Sequence, residues 1–344
     1  AQSVEHDLRQ TVDALNGLLS TLAGVEGKKV LILTSQGLPM NPGKELFFYI
    51  DEMARQKNWR STGSTLLQAA NFDGTSMIQS IARTANANGI TIYALHAGGL
   101  GSYNEGSAEN ATPTPYTVQQ AAITNTTDSM QLIAGMTGGI AAVGTNNFDG
   151  ALQTLENDLN TYYSLGYRSG TERIDRQRVL EVKPKNRKYV VRSRRSFVEK
   201  SIRTEMNDRV IANLFYDRPE NDLKITLTTR QPVPNDEYTF KVPLEIHIPM
   251  EKITLLPQGD SVTGGFSVFV VVSDENGDMS DVVSQQHQIK VTPEELSKLN
   301  GKYFTYEVDL VMEKGRNRIS VGVVDDIANT TGFERQEVLA KDLR

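Results

Sequence analysis

Cysteine is absent from all 344 residues, which excludes disulfides, thiolate metal sites and cysteine nucleophiles and leaves the redox compartment open. Long apolar runs are absent as well. The longest, such as residues 29–33, are far too short to cross a bilayer, so no transmembrane segment is expected. The opening residues Ala1-Gln2-Ser3-Val4-Glu5-His6-Asp7 lack the basic start and apolar stretch of a secretion signal; any such leader is expected to have been removed or to lie upstream. Neither sign of charge dominates. With 36 basic and 42 acidic residues the formal net charge is −6, which argues against nucleic acid as the principal partner. Histidine is scarce: His6, His96, His247 and His287 are scattered and form no pair at metal-ligand spacing. The phosphate-cradling glycine spacings are missing too, so Gly98-Gly99-Leu100-Gly101 and Gly135-Met136-Thr137-Gly138-Gly139 read as turns.

What is present is ordinary folded-protein composition, 38% hydrophobic and 23% charged, over a length that fits two domains. Leu8, Val12, Leu15, Leu18, Leu19 and Leu22 recur at helical spacing, and Gly24 and Gly27 stop that segment before a buried strand at 29–34. Helices are expected at 44–57 and 76–87, a strand at 90–95, a polar loop over 97–127, a helix at 129–136, a short strand at 140–143 and a helix at 148–161. Strands alternating with helices imply a parallel sheet with right-handed crossovers. The pattern then changes. Short strands are expected at 162–167, 178–183 and 189–194, then a connecting helix near 205–216 with a boundary at 218–221. Strands at 223–229, 238–248, 265–273, 282–291, 303–313, 318–325 and 333–340 follow, a spacing that favours an immunoglobulin-like or fibronectin type III-like sandwich. The fold class expected is therefore α/β plus all-β: a partial α/β domain over 1–161, a short β extension over 162–200, a linker helix over 201–220 and a β-sandwich over 221–344.

Residues 27–37, which hold the first strand and Ser35-Gln36-Gly37, together with 87–95 and 133–139, resemble the later half of a von Willebrand factor type A domain. The segment 162–168, the paired strands to Arg195 and the β-rich tail are similar to the von Willebrand factor A-related proteins of acidobacteria. The likeness spans about residues 8–200, and its specificity lies in the ordered set of motifs. It implies a doubly wound sheet of order 3-2-1-4-5-6, of which the strands present would be 4-5-6. It also implies a divalent metal at the carboxyl ends of the strands, held by an Asp-x-Ser-x-Ser turn, a later Thr and an Asp after the fourth strand. The first two of those elements have no counterpart here, and Gln36 stands at the Asp position. A neutral amide does not replace a carboxylate's charge, so no cofactor is expected, neither magnesium nor manganese. The binding surface expected instead is the carboxyl rim, with Ser35, Gln36 and Gly37 after the first strand and His96 after the second. The resemblance leaves the fourth strand without its usual neighbour. The missing amino-terminal half of the domain is expected upstream, on a separate chain, or replaced by another strand of this one.

Three acidic runs offer oxygens. Asp73-Gly74-Thr75-Ser76 reads as a helix cap rather than a metal turn, and Asp274-Glu275-Asn276-Gly277-Asp278 and Asp325-Asp326 read as hairpin turns rather than calcium loops. The basic stretch 168–203 suits a solvated strand pair or an acidic protein partner, with too few interleaved aromatics for base stacking. No nucleophile, base and oxyanion set emerges, so an enzyme is not expected. The function expected is a protein-binding or adhesion-type module of a bacterial envelope or secreted protein, periplasmic or extracellular. The alternative is an assembly subunit that docks, as a homo-oligomer or with another protein, through its sheet edge or its sandwich.

Overall fold

A computed structural model of the chain describes residues 1–57, 64–99, 115–166, 174–216, 220–299 and 301–341. Leu100, Gly101, the middle of the polar loop, Tyr167, Arg168, Arg173, Arg218 and Pro219, all invoked above, lie outside the described residues. The architecture is mixed α/β, and the chain divides into two compact units, one of Ala1–Ser20 with Glu26–Lys200, the other of Thr21–Val25 with Ser201–Arg344.

The first unit contains α1 (Gln2–Thr21), β1 (Lys29–Ser35), α2 (Lys44–Gln56), α3 (Ser64–Ala69), α4 (Thr75–Ala87), β2 (Ile90–His96), α5 (Tyr116–Thr137), β3 (Ala141–Ala142), α6 (Asp149–Asn160), β4 (Gln177–Val179) and β5 (Ser196–Val198). Strands β1, β2 and β3 form a parallel sheet in that order, with Lys29 opposite Ile90, Ser35 opposite His96 and Ala94 opposite Ala141. The two-residue strand period sorts the side chains onto two faces. Leu31 and Leu33 share a face with Ile92 and Ala94, and there Ala94 packs against Met130 and Ala134 of α5. Val30, Ile32 and Thr34 share the other face with Thr91, Tyr93 and Leu95.

Helix α5 is a correction to the sequence reading, which places a polar loop up to 127 and starts the helix at 129. It begins at Tyr116, behind Pro115, and runs for 22 residues. The Thr-rich stretch is helical because Val118, Ala121 and Asn125 are buried; its hydroxyls are satisfied within the helix by turning back onto carbonyls one turn earlier, Thr124 to Gln120, Thr126 to Ala122 and Thr127 to Ile123. The β extension is also smaller than expected. Residues 162–166 carry no strand, 189–194 are irregular, and only β4 and β5 pair, antiparallel. Ser196 anchors that short ribbon by accepting the side-chain amides of Asn86 and Gln177, whereas Tyr189 and Val190 stay exposed.

The second unit contains α7 (Ile202–Phe215), β6 (Thr226–Thr229), β7 (Val233–Pro234), β8 (Thr239–Pro249), a 3₁₀ turn (Met250–Lys252), β9 (Leu255–Gln258), β10 (Ser261–Ser273), β11 (Val283–Val291), α8 (Pro293–Leu299), β12 (Tyr303–Glu313), β13 (Gly315–Asp325) and β14 (Thr331–Ala340). Two antiparallel sheets result. One has the order β12-β8-β6 with β7 on β8, the other β11-β10-β13-β14 with β9 on β10. They share one core, in which Val242, Leu244, Ile246 and Ile248 of β8 meet Phe266, Val268 and Val270 of β10 and Ile319, Val321 and Val323 of β13. The strand expected from 223 starts only at Thr226, because Lys224 takes a left-handed φ of 56° that no ladder accommodates.

The helix expected as a linker over 201–220 is not one. Ser201 caps it, its Oγ accepting from the Thr204 amide at 3.2 Å, and Met206, Val210 and Leu214 recur every fourth residue to make one apolar stripe. That stripe is buried on Phe269, Val271, Val324 and Phe333. The reason lies in β10, which is apolar on both faces and so requires a cover on the side turned away from the other sheet.

Candidate functional site

Parallel strands all end on the same edge of their sheet, so the segments leaving β1 and β2 converge there. Ser35 and His96 are register partners, and the Ala97 amide donates to the Ser35 carbonyl at 2.8 Å. The structure therefore brings Ser35, Gln36, Gly37 and His96 to one rim.

The turn after β1 is clamped. Ser35 Oγ accepts from the Gly37 amide at 3.1 Å, and the Leu38 amide donates to Ser129 Oγ of α5 at 3.1 Å. Gly37 has φ of 93° and lies so close to α5 that a Cβ would stand 2.4 Å from the Thr126 carbonyl oxygen, so only glycine suits the position. Gln36 is exposed between these fixed residues. On the second strand His96 is only 9% exposed, and its Nδ1 is buried without a hydrogen-bond partner. A Cβ on Gly98 would come within 2.6 Å of the imidazole, so the ring rests against that glycine.

One participant escapes sequence reading. Asn125, 2% exposed on α5, accepts from the Asn41 amide at 2.7 Å and returns its own side-chain amide to the Asn41 carbonyl at 2.9 Å. The pairing joins residues 84 apart, so no local pattern announces it. None of Ser35, Gln36, Gly37 and His96 carries a carboxylate, and of the four only Gln36 is exposed. Among the described residues there is no group of three or more His, Asp or Glu side chains placed to hold a metal ion.

The other candidates serve their own turns. Asp73 Oδ1 accepts from the Thr75 amide at 2.9 Å at the start of α4, and the Thr75 side chain and amide together hold its carboxyl below the usual range. Asp274 Oδ1 accepts from the Asn276 and Asp278 amides at 2.9 and 2.8 Å. Asp325 is fully buried; Oδ1 accepts from Ile327 and Ala328 at 2.8 and 3.0 Å, and Oδ2 from Thr254 at 2.6 Å. Burial alone would raise its carboxyl, but those amides outweigh it and the carboxyl stays below the usual range. In the basic segment Arg178 pairs with Glu199 at 2.8 Å and Arg192 with Asp158 at 2.5 Å. Asp158 also accepts from the Tyr93 hydroxyl at 2.5 Å; burial first, then this carboxylate, pushes that phenol well above its ordinary range. The second unit has an open cleft of about 440 Å³ lined by Arg203, Ser267, Phe269, Gln286, Val324 and Asp326. Ser267 and Gln286 already donate to its carboxylate, at 2.8 and 3.0 Å.

Comparison with known proteins adds no family. No family model and no curated protein matches the chain. Among solved structures, a structural-genomics target designated SoR45 aligns with 36% of this chain and 89% of its own at 12% identity and a TM-score of 0.24. Bacteroides uniformis beta-glucuronidase 2 aligns with 33% of this chain and 13% of its own at 8% identity and 0.22. Listeria innocua beta-glucosidase aligns with 91% of this chain and 45% of its own at 11% identity and 0.20. The chain thus spans a small part of the first enzyme and under half of the second. Scores this low carry no argument about fold or activity.

Proposed function

We propose that this protein is a non-enzymatic protein-recognition module, with a von Willebrand factor A-like α/β part and an immunoglobulin-like sandwich, working outside the cytoplasm of a bacterium. The observation that carries the reading is the outer edge of β1. Among the described residues Val30–Thr34 pair only with β2, and Ile32 is 47% exposed. Between Lys29 and Ser35 this edge carries no charge, proline or bulge, and such a stretch is a template for another protein's backbone. On the neighbouring rim the exposed Gln36 would add a side-chain contact, while Ser35 and the buried His96 hold the strand ends in place, and no metal is needed for that contact. The contiguous parallel order β1-β2-β3 supports the von Willebrand factor A-like reading, and two antiparallel sheets around one core support the sandwich reading. The natural partner of the edge is an amino-terminal half of the same kind of domain.

The test compares wild type with Ile32→Lys in pull-downs from an envelope extract of the bacterium that carries the gene, with and without EDTA. A defined protein retained by wild type, lost by Ile32→Lys and indifferent to EDTA is the expected result. Identical captures by both proteins would remove the edge from the account. Retention of a stable homo-oligomer by native mass spectrometry would favour the assembly alternative.

A further inference from the structure

Between Glu181 and Glu199 the chain carries seven basic residues and no carboxylate. The alternation over 189–194 suggests a strand with one solvated face, but no strand forms there. Tyr189, Val190 and Val191 therefore share no sheet face, and all three are exposed, by 68%, 92% and 42%. They belong to a loop that is fixed at its base. Val179 of β4 pairs with Ser196 of β5, the Leu180 amide donates to the Arg195 carbonyl at 2.8 Å, and the Arg195 amide donates to the Met136 carbonyl of α5 at 3.0 Å. The returning limb lies against Gly138, where a Cβ would stand 2.7 Å from the Ser193 carbonyl carbon. Midway, Asn186 makes a tight turn: its side-chain oxygen accepts from the Lys188 amide at 3.0 Å and its carbonyl from the Tyr189 amide at 3.1 Å. Cations along the limbs are engaged, Lys183 with Glu181 at 3.0 Å, Arg192 with Asp158 at 2.5 Å and Arg194 over the Phe197 ring at 5.8 Å. At the turn Lys185, Arg187 and Lys188 are exposed and make no ion pair among the described residues.

We infer that this turn docks on an anionic bilayer surface, with Lys185, Arg187 and Lys188 against the lipid phosphates and Tyr189 and Val190 at the boundary of headgroups and acyl chains. Two chemistries side by side point there. Each Lys or Arg near an anionic membrane raises affinity roughly fivefold, so the three cations of the turn supply about a hundredfold. Charge alone gives a weak, salt-sensitive attraction, and stable attachment takes a second, apolar contribution. Tyr189 and Val190 supply it, the tyrosine being suited to the interface by its apolar ring and polar hydroxyl. A protein partner fits less well. A standard interface needs about 800 Å² and 20–30 residues a side, whereas a tip made of these five side chains suffices against a fluid surface. Nucleic acid fits less well too, since one aromatic ring gives no stacking platform. The formal charge of the whole chain is −6, so it must approach such a surface loop first.

Co-sedimentation near physiological salt with vesicles of phosphatidylcholine, alone or with phosphatidylglycerol added, tests the docking, and retention on heparin supplies a polyanion without hydrocarbon. Wild type is expected to sediment only with the anionic vesicles. Replacing Lys185, Arg187 and Lys188 together by Gln should weaken that binding about a hundredfold and lower heparin retention as well. Tyr189→Ser with Val190→Ser should weaken vesicle binding about tenfold and leave heparin retention unchanged. Because the chain has no cysteine, Val190→Cys carries a single polarity-sensitive dye, whose emission should shift to the blue on anionic vesicles. Equal sedimentation with both kinds of vesicle, or with neither, overturns the inference. Full vesicle binding by the Tyr189→Ser, Val190→Ser variant, or an unshifted dye on bound protein, also overturns it and assigns the loop to a soluble polyanion or an acidic protein instead.

Discussion

Replacing Met206 with alanine tests whether α7 belongs to the second unit or merely leads into it. Met206 is fully buried, and a Cβ built on Gly322 would stand 3.0 Å from its Cε, so the thioether end fills the notch that this glycine leaves in β13. Phe333, also buried, bounds the same notch, and little nearby is free to collapse into the space. Truncating a fully buried side chain of this size costs about 2–5 kcal/mol, the transfer of its methylenes plus the cavity left behind. At about 1.4 kcal/mol per factor of ten, the opening equilibrium of the surrounding sheet should rise roughly thirtyfold to a few thousandfold. A single melting curve is the wrong instrument, because a chain of two compact units need not unfold in one step. Hydrogen exchange of the β10 and β13 amides reads the second unit directly. Ile202→Ala, at a residue 45% exposed in the first turn of the same helix, is the control and should change exchange by less than about 0.5 kcal/mol. If Met206→Ala speeds exchange by no more than the control does, about twofold, the helix is a connector and the packing argument is wrong.

Gly37→Ala combines a left-handed φ with a 2.4 Å approach to the Thr126 carbonyl, and should cost the first unit about 1–3 kcal/mol, seen as faster exchange in β1 and α5; wild-type protection would deny that the turn is clamped there. His287 closes the edge between β11 and β12, with ring centroids 5.3 Å from Phe266, 5.4 Å from Phe304 and 5.0 Å from Tyr306, and its Nε2 is buried without a partner. Desolvation lowers its pKa below the ordinary 6.5, so the unfolded chain takes up the proton first on acidification. Its contribution is complete above about pH 6.5 and is lost as pH falls from there through the depressed folded value. Urea midpoints of wild type and His287→Phe between pH 7 and 5 should diverge; parallel curves would count against the desolvated imidazole. Asp158→Asn removes the charge beside Tyr93, and ultraviolet difference titration should show one of the 12 tyrosines ionising at lower pH than in wild type, with no change if burial alone raises that phenol.

Much of the fold is local and was legible. Strands β1 and β2 are compact apolar runs bounded by glycine or asparagine, and β8, β10 and β12 alternate or run apolar over nine or more residues, so composition alone marks them. Elements whose stability comes from elsewhere were not legible. The amino-terminal half of α5 reads as loop because Thr and Asn favour turns in isolation, and burial of Val118, Ala121 and Asn125 reverses that preference. Helix α7 reads as a connector because nothing in its own sequence says that the outer face of β10 is uncovered.

The candidate site divides in the same way. Sequence alone determined that Ser35-Gln36-Gly37 and His96 end consecutive strands, that cysteine chemistry is excluded, and that Gln36 brings no charge. Only the tertiary structure decided that His96 Nδ1 is buried without a partner, that Asn125 and Asn41 lock the rim, and that Ile32 stays exposed while its neighbour Tyr93 does not. Strand ends follow from local pattern, because two-residue periodicity and turn residues act over a few bonds. Which face of a strand remains uncovered depends on where distant helices lie, and no segment of the chain encodes that by itself.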